Sequence, residues 1–249
     1  MAVENEAYFK RYLSLIERYA GQAQTVLDAG CGTGLSSCLL SRNHKQVVGV
    51  DLSELFLRRG SRENLRENLL LAAADILHLP FPDESFDLVS SYLVLEFLPD
   101  VERGLMEMIR VLGRGGMLLI VTPNHLSPIW PMRDFFRMLA GGPPRPVWCE
   151  TPRAAFATFW RNLCLSTKKT FERECEFLYR EPDLTCRHVV GRDSDSVYLA
   201  NPMDLAGFLK QKGFQILRTG SRSTLLEKLF PFFCVGVEIV AKKVDRNAS

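Results

Sequence analysis

Apolar residues fall into short runs separated by glycine, proline and aspartate, and the spacing within each run predicts an element. Tyr8, Phe9, Tyr12, Leu13, Ile16 and Tyr19 recur at three- and four-residue steps, so residues 4–19 read as an amphipathic helix that Gly21 stops. Val26 and Leu27 start a short buried strand that ends at Asp28. Gly30, Gly32 and Gly34 then alternate with Cys31 and Thr33, after which Leu35, Leu39 and Leu40 return at helical spacing. Val47, Val48 and Val50 make a second strand, closed by Asp51. Ser53 is placed to cap a helix running to about residue 68, with Arg58, Arg59, Arg62 and Arg66 on a solvated face. The third strand spans 69–73. The fourth, 86–89, follows a polar turn at Pro80, Pro82 and Asp83. A helix over 99–112 sets Leu105, Met108, Ile109 and Leu112 on one face. Gly113, Gly115 and Gly116 then turn the chain into a fifth strand at 117–121.

From 125 to 200 the character changes. Six prolines between Pro128 and Pro152 break the pattern, and Trp130, Phe135, Phe136, Trp148, Phe156, Phe159 and Trp160 make it aromatic. A bare loop of that length is uncommon, so the stretch reads as several short helices inserted after strand five. Most of its aromatics are expected to form the insertion's own core and a minority to line an apolar pocket. A helix over 201–212 with Pro202 at its start, a sixth strand over 214–218 and a seventh over 235–241 complete the pattern. Residues 246–249 read as a loose tail. Strands alternating with helices give an α/β class.

A hydrophobic fraction of 47% and a charged fraction of 24% are those of a globular chain, which excludes disorder. The net charge of +2 argues against nucleic-acid binding by bulk electrostatics. Residues 1–7 carry two glutamates and no apolar run, so no secretory signal is expected. The most apolar segment, 229–241, is broken by Pro231 and Glu238, so no transmembrane segment is expected either. Seven cysteines without a CxxC pair argue against a disulfide framework and a zinc site, which makes the cytoplasm the expected compartment. Cys31, Cys38 and Cys234 read as small buried residues. His44, His78, His125 and His188 form no ligand cluster.

The candidate chemistry lies in 25–51, TVLDAGCGTGLSSCLLSRNHKQVVGVD. A turn free of side chains lets a ligand approach the backbone, and a carboxylate about 20 residues on, at the next strand tip, can accept two ribose hydroxyls. A dinucleotide site wants its third glycine where this chain has Leu35, and Asp28 would repel a pyrophosphate. Asp28 suits a ligand end that carries an ammonium group.

VLDAGCGTG followed by VVGVDLS resembles the first two motifs of class I S-adenosylmethionine-dependent methyltransferases, specifically the small-molecule, ubiquinone-biosynthesis-like type. LHLPFPDESFDLV, LVLEFLPD and LGRGGMLLIVTPN continue the resemblance over residues 20–124, and DSVYLANPMDLAGFLKQKGFQILRTG resembles the return to the sheet. The resemblance implies a Rossmann-like, mostly parallel seven-stranded sheet with helices on both faces and an α-helical cap after strand five. The last strand would enter antiparallel between strands five and six. Residues 1–124 would be the cofactor-binding core, 125–200 the substrate-binding cap, and 201–249 the return to the sheet.

By the same resemblance, Asp28, Ala29, Gly30, Cys31, Gly32 and Gly34 meet the methionine end of S-adenosyl-L-methionine. Asp51 and Leu52 meet its ribose, Asp75 and Ile76 its adenine, and Ser91 and Tyr92 its methionine part. Tyr8 or Tyr12 would face it from the N-terminal helix. The implied reaction is in-line methyl transfer to an oxygen, nitrogen or carbon atom of a small, fairly apolar acceptor, leaving S-adenosyl-L-homocysteine. His125 is the candidate base, ahead of His188 and Tyr198. Many relatives have His where this chain has Phe97, so no base is implied there. The alternatives are a methyltransferase-fold binding module without activity, a nicotinamide-dependent oxidoreductase, and a lipid-modifying enzyme at a membrane surface.

Overall fold

The structure, a computed structural model, describes residues 6–63, 66–143, 151–171, 175–181, 197–221 and 224–244. Trp148, His188 and the expected tail at 246–249 lie outside the described residues.

Seven strands form one sheet in the order β3-β2-β1-β4-β5-β7-β6. They are β1 (Thr25–Ala29), β2 (Gln46–Asp51), β3 (Leu69–Ala73), β4 (Phe86–Tyr92), β5 (Leu112–Pro123), β6 (Phe214–Arg218) and β7 (Gly236–Lys243). β1 to β5 run parallel, while β7 is antiparallel to both β5 and β6, as the resemblance implies. The chain reverses its direction of winding between β1 and β4. In an open α/β sheet, that switch point leaves a crevice at the carboxyl ends of the strands.

Alternation along the strands builds two cores. Leu27, Val48, Val50, Val89, Leu118, Ile120 and Ile239 face one way, against α4 (Val101–Val111) and α7 (Pro202–Gln211). Val26, Val47, Leu88, Met117, Leu119 and Val240 face the other way, against α1 (Glu6–Ala20) and α2 (Leu35–Leu40). A one-residue slip of any strand would exchange these sets. Each fully buried aliphatic side chain there contributes about 1.5–3 kcal/mol relative to exposure.

The helix ends follow local chemistry. The Asp100 side chain accepts from the Arg103 amide at the start of α4, and Asn201 accepts from the Met203 amide ahead of Pro202. Ser53 accepts from the Phe56 amide, as expected, but α3 (Glu54–Glu63) stops short of residue 68. The Asn68 side chain is instead drawn to the carbonyls of Ser41 and His44, and the Leu69 amide closes a turn onto Arg66. The expected glycine turn at 113–116 is part of β5, whose pairing with β4 shifts register between Phe86 and Leu88.

The insertion also differs from the expectation of several short helices. Its described residues hold α5 (Ile129–Leu139) and the 20-residue α6 (Pro152–Phe171), about 30 Å long. Its end is tied to the β4–α4 connection, where the amides of Val197 and Tyr198 both donate to the Glu96 carbonyl, at 2.7 and 3.1 Å. A short helix α8 (Leu225–Leu229) and a 3-10 turn (Pro231–Phe233) precede β7, and neither was legible in the sequence. Among the described residues no helix is long and apolar enough to cross a membrane.

Candidate functional site

The carboxyl ends of β1 to β5 bring the sequence-predicted residues to one edge. Ala29 lies beside Val50 in the β1–β2 register, Asp51 beside Ala73, and Asp28 beside Ser90. Asp51 and Tyr92 stand at these ends, and the glycine segment, Leu52, Asp75 with Ile76, and His125 lie past them.

Asp28 is 1% exposed, and three hydroxyls surround it. Ser36 and Ser37 donate to one carboxylate oxygen at 2.6 and 2.7 Å, and the Tyr12 hydroxyl donates to the other at 3.3 Å. Burial pushes the carboxyl up from its ordinary range, and the three hydroxyls oppose that shift. Asp28 thus fixes α1 and α2 to the end of β1. Tyr12 is spent on this contact. Tyr8 instead stays half exposed, with its ring centroid 5.6 Å from that of Tyr92. Phe9 and Tyr12 complete the cluster around Tyr92, at 5.3 and 4.8 Å. Burial first, then the Tyr8 hydroxyl, raises the Tyr92 phenol above its usual range.

The glycine segment is built from close approaches. A Cβ on Gly30 would collide with the Val94 side chain, whereas a Cβ on Gly32 would meet no atom within 4 Å. Gly32 adopts φ +57, and its amide donates to Asp51 at 2.8 Å. The second oxygen of Asp51 accepts from the Ser53 amide at 2.8 Å. Each oxygen keeps a lone pair, so a diol could still be bound there. Leu52, next to it, is 77% exposed and offers an apolar wall. The amides of Gly30 and Cys31 both donate to the Val50 carbonyl and lock β1 against β2. Cys31 is buried, and burial together with the Asp28 and Asp51 charges lifts its thiol well above the usual range. Cys234 is buried too, while Cys38 is half-buried.

Asp75 caps the 3-10 turn Ile76–His78 by accepting from the Leu77 amide at 2.9 Å, and its other oxygen lies 3.5 Å from His78 Nδ1. Ile76 belongs to the main core and is 6% exposed. Ala29 is fully buried, backbone included. Ser91 is also fully buried, and its hydroxyl donates to the Ala29 carbonyl at 3.0 Å.

His125 is 3% exposed just beyond β5, its amide donating to the Ala200 carbonyl at 3.1 Å. Tyr198 is fully buried, packed against Phe177 and Tyr179. Two features escaped the sequence reading. Leu93 takes φ +58 directly after β4, a conformation costly for a side chain of this size. Glu96 is 2% exposed and accepts from the Thr122 hydroxyl at 2.7 Å. Among the described residues no cluster fits a metal ion.

Residues 27–120 match the family model described as a methyltransferase domain. The chain is 34% identical over 146 residues to the demethylmenaquinone methyltransferase of Thermobifida fusca, an alignment covering 57% of this chain and 59% of the relative. Over 119 residues it is 38% identical to the demethylmenaquinone methyltransferase of Porphyromonas gingivalis, covering 45% and 48%. The chain thus spans about half the length of these curated relatives. Among solved structures, an S-adenosylmethionine-dependent methyltransferase from Mesorhizobium loti superposes with a TM-score of 0.61 at 19% identity, over 95% of this chain and 98% of that one. That likeness concerns the fold.

Proposed function

We propose that this chain, whose residues 27–120 match a methyltransferase domain, is a class I S-adenosylmethionine-dependent methyltransferase that transfers a methyl group to a small, largely apolar acceptor. The observation that carries the reading is Gly32. Its φ is positive, the space above it is open, and its amide is fixed to Asp51. A cofactor can pass over the backbone there and present its ribose to the carboxylate. S-adenosylmethionine, when bound, supplies an activated methyl group and a neutral thioether leaving group.

The chain's own residues would bind and orient. Asp51 accepts the ribose hydroxyls, with Leu52 beside it, and Asp75 receives the exocyclic amine of adenine. The backbone of residues 30–32 lies along the methionine end. Asp28 stiffens that segment through α1 and α2, and any contact it makes with the ammonium group runs through water. Tyr8 and Tyr92 shield the crevice from solvent on the α1 side. Holding donor and acceptor in near-attack geometry is worth about 7–11 kcal/mol.

Residues 125–200 form the acceptor side in this reading. His125 takes the acceptor proton where the nucleophile is not already ionised. A reduced quinone ring lacking its methyl group is the first acceptor to assay, because the relatives named above are demethylmenaquinone methyltransferases. The test is calorimetric titration with S-adenosylhomocysteine and with NAD, followed by labelled methyl transfer to demethylated quinols. Saturable binding of the thioether but not of NAD, with label appearing in the quinol, is expected. Selective NAD binding would overturn the reading. His125→Asn should lower kcat about 100-fold with cofactor affinity unchanged.

A further inference from the structure

The insertion helices carry a surface that the methyl-transfer reading does not use. Along α6, Arg153, Phe156, Trp160, Cys164, Lys168 and Phe171 follow at steps of three or four, and all are exposed. That spacing puts them on one stripe running the length of the helix. Phe171 is 81% exposed, an unusual state for a phenylalanine. On α5, Arg133, Phe136 and Leu139 repeat the pattern and are exposed as well. Phe135 joins the two stripes, with its ring centroid 5.4 Å from Phe136 and 5.8 Å from Phe156, and Phe156 lies 6.2 Å from Trp160. Phe136, Phe156 and Trp160 are therefore contiguous, and Phe171 stands about three turns further along the same stripe.

The charges agree. The two helices contain a single acid, Asp134, which is 1% exposed and 3.3 Å from Arg137. Their exposed charged residues, Arg133, Arg153, Arg161 and Lys168, are all cations. The chain as a whole carries only +2, so this concentration of one sign is local. A helix stripe is convex and lacks the groove that peptide recognition needs. Aromatic rings flanked by long cationic side chains match a planar interface with apolar tails below and phosphates above.

We propose that the α5–α6 face docks on the surface of an anionic phospholipid bilayer. Phe136, Phe156, Trp160 and Phe171 enter the boundary between headgroups and acyl chains, and Arg133, Arg153 and Lys168 meet the lipid phosphates. The proposal stands independently of methyl transfer.

The test is co-sedimentation of the full chain with vesicles of phosphatidylcholine alone and of phosphatidylcholine mixed equally with phosphatidylglycerol. Binding to the anionic vesicles should be at least about tenfold tighter and should fall away in about 0.5 M salt. Phe156→Ser with Trp160→Ser should weaken binding about tenfold or more. Arg153→Glu with Lys168→Glu should remove the preference for anionic lipid. These positions are exposed, and circular dichroism checks the fold of each pair. If a pair does not fold, the lipid and salt dependence of the unaltered chain decides. Equal partition onto both vesicles, no sedimentation, or unchanged binding by folded variants would overturn the proposal. So would sedimentation velocity showing, without lipid, a dimer that both pairs dissociate, which would give the face to a second copy.

Discussion

Asp51 is the side chain on which the candidate crevice closes, since it takes amides from Gly32 on one side and Ser53 on the other. Asp51→Ala should weaken S-adenosylhomocysteine binding about 10- to 100-fold, the equivalent of one lost charge-assisted bond. Calorimetry measures this, and the thermal unfolding curve should stay cooperative. Unchanged affinity would remove Asp51 from the site. Cysteine chemistry gives a second residue-scale prediction. With its thiolate disfavoured by burial and by two carboxylates, Cys31 should resist iodoacetamide at neutral pH, while exposed Cys164 is alkylated, as read by peptide mass spectrometry. The places of both carboxylates at strand ends were legible, Asp28 because glycines follow it and Asp51 because it closes the next apolar run. The partners of Asp28 were not, because Tyr12 reaches it only once α1 packs on the sheet. Nor was the backbone of Leu93, since leucine ordinarily signals no left-handed turn.

Between elements, the insertion is fastened by a buried ion pair. Lys169 on α6 lies 2.9 Å from Asp204 on α7, with side chains 6% and 2% exposed, and also donates to the Glu176 carbonyl. Lys169→Met leaves Asp204 without that cation in an apolar setting and should cost about 3–5 kcal/mol in urea unfolding. Adding Asp204→Leu should recover most of the loss, because two apolar side chains need no compensation. An equally large loss in the double variant would refute that account. The helices flanking the sheet were readable because each buries one periodic face, and strands such as β1 and β2 because they are short apolar runs, buried on both faces and bounded by turn residues. The insertion was misjudged for the same reason. Its aromatics suggested an inner core, yet Phe136, Phe156 and Trp160 are exposed and the other described ones among those named are only partly covered. Periodicity reports that a face is apolar and is silent on what covers it.

Across the whole molecule, charge pairing sets the response to acid. Arg110 holds the Glu107 carboxyl below its ordinary range, and Arg42 does the same for Glu6. For Asp87, burial pushes upward but is outweighed by the Thr25 and Gln24 amides and the Thr25 hydroxyl. These folded-state carboxyls bind protons less readily than unfolded ones, so their stabilisation is full above about pH 4.5 and is lost as pH falls through their lowered values. Asp28 has the opposite sign, and its contribution is lost as pH rises through its raised value. Through Glu107 and Asp87, the melting temperature should drop between about pH 5 and pH 3, and Asp87→Asn should flatten the drop. A flat profile in the unaltered chain would contradict the pairing. The α/β class was legible from strand–helix alternation, whereas the mostly parallel sheet and the place of β7 came through resemblance, because strand order is not a local property. That place has a consequence for synthesis. β6 leaves the ribosome before β7, yet β7 is its one neighbour in the sheet. Until residue 243 clears the exit tunnel, a nascent chain can assemble only the five parallel strands. The rim of β5 then presents a row of backbone N–H and C=O groups with no partner strand until β7 arrives.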